Sequence, residues 1–116
     1  MPATAITNVT LKLNTGSAAY ATAAVDASDG ALITAAADQK MLILLENATT
    51  VTKVATIEAA DGLQGLNDVT VSLGNVEKKA IVVESAKFVI QSGTNKGKIM
   101  ITGTDANVKV ACIVLP

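Results

Sequence analysis

The chain has no histidine, no arginine and no tryptophan. Without histidine, a Ser–His or Cys–His nucleophile pair cannot form within one chain. A switch titrating near neutral pH loses its usual residue as well. Without arginine, no bidentate guanidinium clamp is available for phosphate or carboxylate. Aromatic residues are nearly absent, being limited to Tyr20 and Phe88. Cys112 is the single cysteine, so an intramolecular disulfide is excluded. It lies in the apolar stretch Val108 to Leu115, where a buried, inert thiol is expected rather than a nucleophile. All nine cations are lysines, set against ten carboxylates for a formal net charge of −1. No basic stripe is present, so no nucleic-acid partner is expected. No basic amphipathic segment suits a membrane surface. The opening Met1-Pro2-Ala3-Thr4 lacks a basic, then apolar, leader pattern, and no signal peptide is expected. The apolar run Met41 to Leu45 is far too short to span a bilayer. Asn8-Val9-Thr10 and Asn47-Ala48-Thr49 match the glycosylation sequon, but without a secretory signal they read as chance matches.

What the chain does have is aliphatic bulk: half of its 116 residues are hydrophobic, mostly Val, Ile, Leu and Ala among threonines. This length suits one domain, residues 1–116, which buries about 65% of the surface of its unfolded chain. Strands are expected at Ile6 to Leu13, Ala31 to Thr34, Met41 to Glu46, Lys53 to Glu58 and Val69 to Leu73. Further strands are expected at Lys79 to Glu84, Lys87 to Gln91, Lys98 to Thr102 and Val108 to Leu115. In the first, Val9, Leu11 and Leu13 share a face, and Asn14-Thr15-Gly16-Ser17 supplies a turn. Ala18 to Lys40 reads as a long loop holding one short strand, with a single helical turn as the alternative. Met41 to Leu45 is apolar on both faces, so a long loop or another subunit must cover its second face. About eight or nine short strands at this spacing predict an all-β, single-domain sandwich of Ig-like or jelly-roll type.

Candidate chemistry is sparse. Gly93-Thr94-Asn95-Lys96-Gly97-Lys98 is one residue short of a phosphate-binding loop, lacks the hydroxyl residue after its lysine, and leads into a strand. It is expected to be a hairpin turn. Asp26-Ala27-Ser28-Asp29-Gly30 offers too few oxygens for calcium and reads as a solvated turn. Glu46, Glu58 and Glu84 stand near strand ends; a pair of them could serve glycoside hydrolysis, but edge carboxylates are the expected reading. Lys78-Lys79 and Lys96 with Lys98 read as edge lysines, with contact to an acidic partner as the alternative. No catalytic residue, cofactor or metal site is expected.

Several phrases carry a resemblance. Ile43-Leu44-Leu45-Glu46-Asn47, Gly62-Leu63-Gln64-Gly65, Val83-Glu84-Ser85 with Phe88, Ser92 to Lys98, and Val108-Lys109-Val110 through Leu115-Pro116 are similar in kind to small virion proteins of tailed phages and prophages. The similarity covers most of the chain from Met41 onward and resembles capsid decoration (cement) proteins. It implies a compact β-sandwich or β-tulip, sometimes trimeric, bound to the outer surface of the head at capsomer junctions. The implied partner is the major capsid protein, and a second copy of the chain is a further candidate. The implied location is the virion, after synthesis in the host cytoplasm. The expected docking surface is the N-terminal strand through Ile6, Val9, Leu11 and Leu13, with Met41, Ile43 and Leu45 as a second candidate. The rival expectation is a host-attachment or carbohydrate-binding module, for which only Tyr20 is available as an aromatic platform. A tail tube or tail-completion component is a third.

Overall fold

Strand β5 shows how the sequence builds this molecule. In β5 (Met41–Asn47), Met41, Ile43, Leu45 and Asn47 are buried, while Leu42, Leu44 and Glu46 are half-buried. The period of two turns one row of side chains inward and the other outward. A computed structural model describes residues 3–17, 19–36, 40–60, 67–83 and 85–116 of the chain. Within them are ten strands and one helical turn. The strands before β5 are β1 (Thr4–Ile6), β2 (Asn8–Thr10), β3 (Ala23–Ala24) and β4 (Ala31–Thr34). After it come β6 (Lys53–Ile57), β7 (Val69–Leu73), β8 (Lys78–Ile81), α1 (Ser85–Phe88), β9 (Lys98–Gly103) and β10 (Val108–Val114).

Two five-stranded mixed sheets share one core. The first runs β1-β4-β9-β6-β7, and the second runs β2-β10-β5-β8 with β3 also paired to β10. Ile33, Ile57, Leu73, Ile99 and Ile101 from the first sheet meet Ile43, Leu45, Val108, Val110 and Cys112 from the second. Each large aliphatic side chain buried in this way is worth roughly 1.5–3 kcal/mol. Phe88, on α1, is the aromatic member of the core.

Two expectations need correction. The N-terminal strand is not continuous. It breaks at Thr7, where the chain passes from one sheet to the other. β1 lies parallel to β4, and β2 lies parallel to β10. The chain must turn over between them because Ile6 is drawn into the core. The expected strand at Lys87 to Gln91 is instead the turn α1 followed by irregular chain. Burying Phe88 takes a compact turn that then leads into a tight loop, in which Ile90 exchanges backbone bonds with Gly97 and Lys98.

The turn at Asn14 behaves as read, whereas the loop Gly93 to Lys98 is not the expected hairpin turn, because α1 and irregular chain rather than a strand precede it. Lys12 and Thr15 bridge around Asn14, which takes φ 58°. Gly93 and Gly97 both adopt φ 84° in the loop before β9. Such backbone favours glycine and tolerates asparagine. The phrase Gly62 to Gly65 and the residue Glu84 lie outside the described residues.

β2 and β3 occupy successive stretches of the same edge of β10. The chain between them therefore leaves the sheet. Tyr20 and Thr22 reappear beside Leu44 and Ala80, on the outer face of β5 and β8. Ala111 and Ile113, which pair with Leu44 and Leu42 and so share their face, are buried too. Chain from the long loop, one of the two expected covers, thus stands beside part of the second face of β5, where Leu42 and Leu44 stay half-buried.

Candidate functional site

At one end of the molecule, the Asp26 to Gly30, 48–52, Gly74 to Glu77 and Thr104 to Asn107 loops lie together, and three of them are bonded to one another or to β5 and β6. Asn47, at the last inward position of β5, organises them. Its side chain is fully buried. The amide Nδ2 donates to the carbonyls of Val51 (2.8 Å), Leu73 (3.1 Å) and Gly74 (2.9 Å). The Oδ1 accepts from the Thr49 N–H (2.9 Å) and hydroxyl (2.8 Å). Backbone bonds add to this: Val76 N to Thr49 O at 2.8 Å, Asn47 N to Glu77 O at 3.0 Å and Ala48 N to Asn107 O at 3.1 Å. Lys53 Nζ reaches Asp105 Oδ2 at 2.7 Å. The ion pair and the Asn107 N–H hold the Asp105 carboxyl below its ordinary range.

On this fixed platform two apolar side chains face water. Val51 is 63% exposed and Val76 is 57% exposed. Val76 also has φ 50°. The left-handed region is costly for a β-branched residue. The Gly74 N–H donates to Glu77 Oε1 at 2.9 Å and the Glu77 N–H to the Gly74 carbonyl at 3.1 Å, so the turn is closed on both sides of Val76. The Gly74 bond is the main cause of a lowered Glu77 carboxyl, with Lys79 second. Neither packing nor backbone geometry requires valine here; glycine or asparagine would suit both better.

The residues expected to dock are placed differently. Ile6, Met41, Ile43 and Leu45 are buried in the shared core, so they cannot meet a partner while the chain is folded. The alternation of β5 put the wrong row forward: Leu42 and Leu44 are the outward residues. Val9 and Leu11 are half-buried. Leu13 is 76% exposed, at the tip of a turn. The structure does not gather these seven side chains into one surface.

The other candidates serve the fold. Asp26 Oδ1 accepts from the Asp29 N–H (2.8 Å) and the Ser28 N–H (3.0 Å), which lowers its carboxyl pKa and occupies the oxygen that calcium would need. Among the described residues, no three His, Cys, Asp or Glu side chains are grouped as metal ligands would be. Lys79 donates to the Ser72 carbonyl at 2.8 Å, closing the gap between β8 and β7. Lys78 lies 3.7 Å from Glu46, an exposed pair of little energetic weight. Cys112 is buried, and desolvation pushes its thiol up to about 11.

Sequence reasoning missed Asn47 as an organiser. The signal was its parity: it continues the inward series 41, 43, 45. Comparison with protein families, with curated proteins and with solved structures gave no significant match for this chain.

Proposed function

We propose that the chain is a phage virion structural protein, a decoration protein that binds the outer surface of the head. In this reading its partner is the major capsid protein, and copies seated at capsomer junctions stabilise the shell. The observation that carries the proposal is the pair Val51 and Val76, exposed on loops that Asn47 holds rigid. A strained, solvent-facing valine weakens the isolated fold. Its presence is accounted for if another surface covers it. Preorganised loops also lose little entropy on docking, and modest contacts gain strength when repeated over a lattice.

The strand wiring supports the reading. Leaving aside the parallel strands β1 and β2, the pairs are β3 with β10, β4 with β9, β5 with β8, and β6 with β7, all antiparallel. These are the rungs of one long hairpin. Two further pairs, β10 with β5 and β9 with β6, roll that hairpin into two four-stranded halves. We read this as a jelly roll rather than an Ig-like arrangement, and jelly rolls are recurrent in viral capsid domains. The resemblance from Met41 onward points the same way.

Heads lacking the protein, incubated with purified chain and sedimented, provide the test. Wild type is expected to co-sediment. The double variant Val51→Ser with Val76→Asn is expected to bind at least tenfold more weakly, at roughly 1 kcal/mol or more for each side chain at a packed contact. Binding by the variant within twofold of wild type would rule out the platform. Failure of wild type to bind heads would rule out the decoration role.

A further inference from the structure

On the outer face of the second sheet, beside the loop platform, lies a hollow of about 330 Å³. Tyr20 and Thr22 form one wall, Leu44 and Ala80 the apolar floor, and Glu46 with Lys78 and Lys79 the charged rim. The floor residues face one another across β5 and β8, as do Glu46 and Lys78. Tyr20 is one of two aromatic residues in the chain, and it is 55% exposed while Phe88 is buried.

We propose that this hollow binds a single neutral hexose unit of a surface glycan. A pyranose ring has an apolar C–H face and a rim of hydroxyls. The Tyr20 ring offers a flat apolar partner for the first. The Glu46 carboxylate accepts from ring hydroxyls and the Lys78 ammonium donates to them, giving both hydrogen-bonding senses on one side. The 3.7 Å separation of Lys78 and Glu46 leaves both groups with unused bonding capacity. The Glu46 and Lys78 charges cancel, and Lys79, the second lysine at the hollow, is held by the Ser72 carbonyl and Glu77, so nothing favours an anionic sugar. A mostly apolar concavity with a few convergent polar groups is the usual form of a small-ligand site. Among the described residues Glu46 is the one carboxylate lining the hollow, and glycoside cleavage uses two, so the proposal is of binding alone. This inference does not depend on capsid binding, because Val51 and Val76 line no part of the hollow.

The test is an amide chemical-shift titration of the full chain with the methyl glycosides of glucose, galactose and mannose. At least one is expected to shift resonances of residues 20–22, 44–46 and 78–80, saturating in the millimolar range. Tyr20→Phe keeps the ring and is expected to bind within threefold of wild type. Tyr20→Ala and Glu46→Gln are each expected to weaken binding at least tenfold, with the remaining spectrum showing the fold intact. Head binding is expected to be unchanged in Tyr20→Ala. No shift with any of the three glycosides, or shifts that persist in Tyr20→Ala, would overturn the proposal.

Discussion

Replacing Asn47 by alanine deletes five hydrogen bonds at once and leaves their partners behind. The cost depends on which partners can reach water. Four of the bonds join part-buried groups at the margin of the loops, and rehydration there recovers most of the loss. The bond to the Leu73 carbonyl is buried, so that oxygen stays unsatisfied. A buried orphan acceptor costs about 1–3 kcal/mol, and each remaining bond contributes a fraction of the usual ~1 kcal/mol. Asn47→Ala is therefore expected to lose about 3 kcal/mol, which in a domain of this size lowers Tm by about 10–15 °C. Urea unfolding followed by circular dichroism reads both the loss and the slope. A loss below about 1 kcal/mol would refute the claim that Asn47 organises the loops.

Asn47→Asp separates the donor from the acceptor. The new oxygen faces carbonyls of Val51, Leu73 and Gly74, and burial favours its neutral form, so its folded pKa is raised. Stability is then present below the ordinary carboxylate range and is lost as pH rises through the folded value. Wild type has the opposite slope at low pH. Its lowered carboxyls, Asp26, Glu77 and Asp105, contribute above their unfolded values and lose that contribution as pH falls through the folded ones. An Asn47→Asp protein more stable at pH 7 than at pH 4 would contradict this assignment.

Other perturbations probe separate parts of the fold. Val76→Asn relieves the left-handed strain and is expected to stabilise the isolated chain by about 1 kcal/mol, measured as a rise in Tm; a fall would mean that valine is needed for folding. Gly103→Ala places a Cβ 2.7 Å from the Val108 Cβ, a buried β-branched neighbour that cannot move aside, and is expected to cost about 1–3 kcal/mol in urea unfolding. Cys112 is expected to resist a thiol reagent at pH 8 until the chain unfolds, and its raised pKa makes stability decline as pH rises from near 9 toward about 11. Deleting residues 1–13 removes β1, β2 and the buried Ile6, and is expected to abolish cooperative unfolding at the wild-type midpoint, whereas Leu13→Ser is expected to leave it unchanged.

Much of the sheet architecture was legible because alternation writes itself directly into sequence. Ala31 to Thr34, Met41 to Glu46, Lys53 to Glu58, Val69 to Leu73 and Val108 to Leu115 all match observed strands to within two residues. The break at Thr7 was hidden because Val9, Leu11 and Leu13 alternate so regularly. Its trace is the position of Ile6, which falls on the opposite parity. α1 was illegible because one turn is shorter than the helical period that would reveal it. The docking residues were misjudged for a different reason. An apolar strand announces burial without saying which row points inward, and the doubly apolar Met41 to Leu45 did not separate the inward row 41, 43, 45 from the outward row 42, 44. Val76 carried no signal at all, since a left-handed valine is set by the surrounding hydrogen bonds rather than by its own preference.

Sheet edges decide which surfaces remain for binding. β1 covers one edge of β4, and β2 with β3 covers one edge of β10. At the other side of the molecule, among the described residues, β7 and β8 have no further strand beside them. There Lys79 spans the opening to a β7 carbonyl and stands near Glu77. A charged side chain turned toward an edge is a common guard against pairing with another chain. Strand addition is thus disfavoured at β8, and the N-terminal segment is committed to pairing with β4 and β10. What stays available is side-chain contact: the valines on the tied loops and the hollow beneath Tyr20. The valines sit on loops already tied by hydrogen bonds, so that platform needs no rearrangement in order to bind.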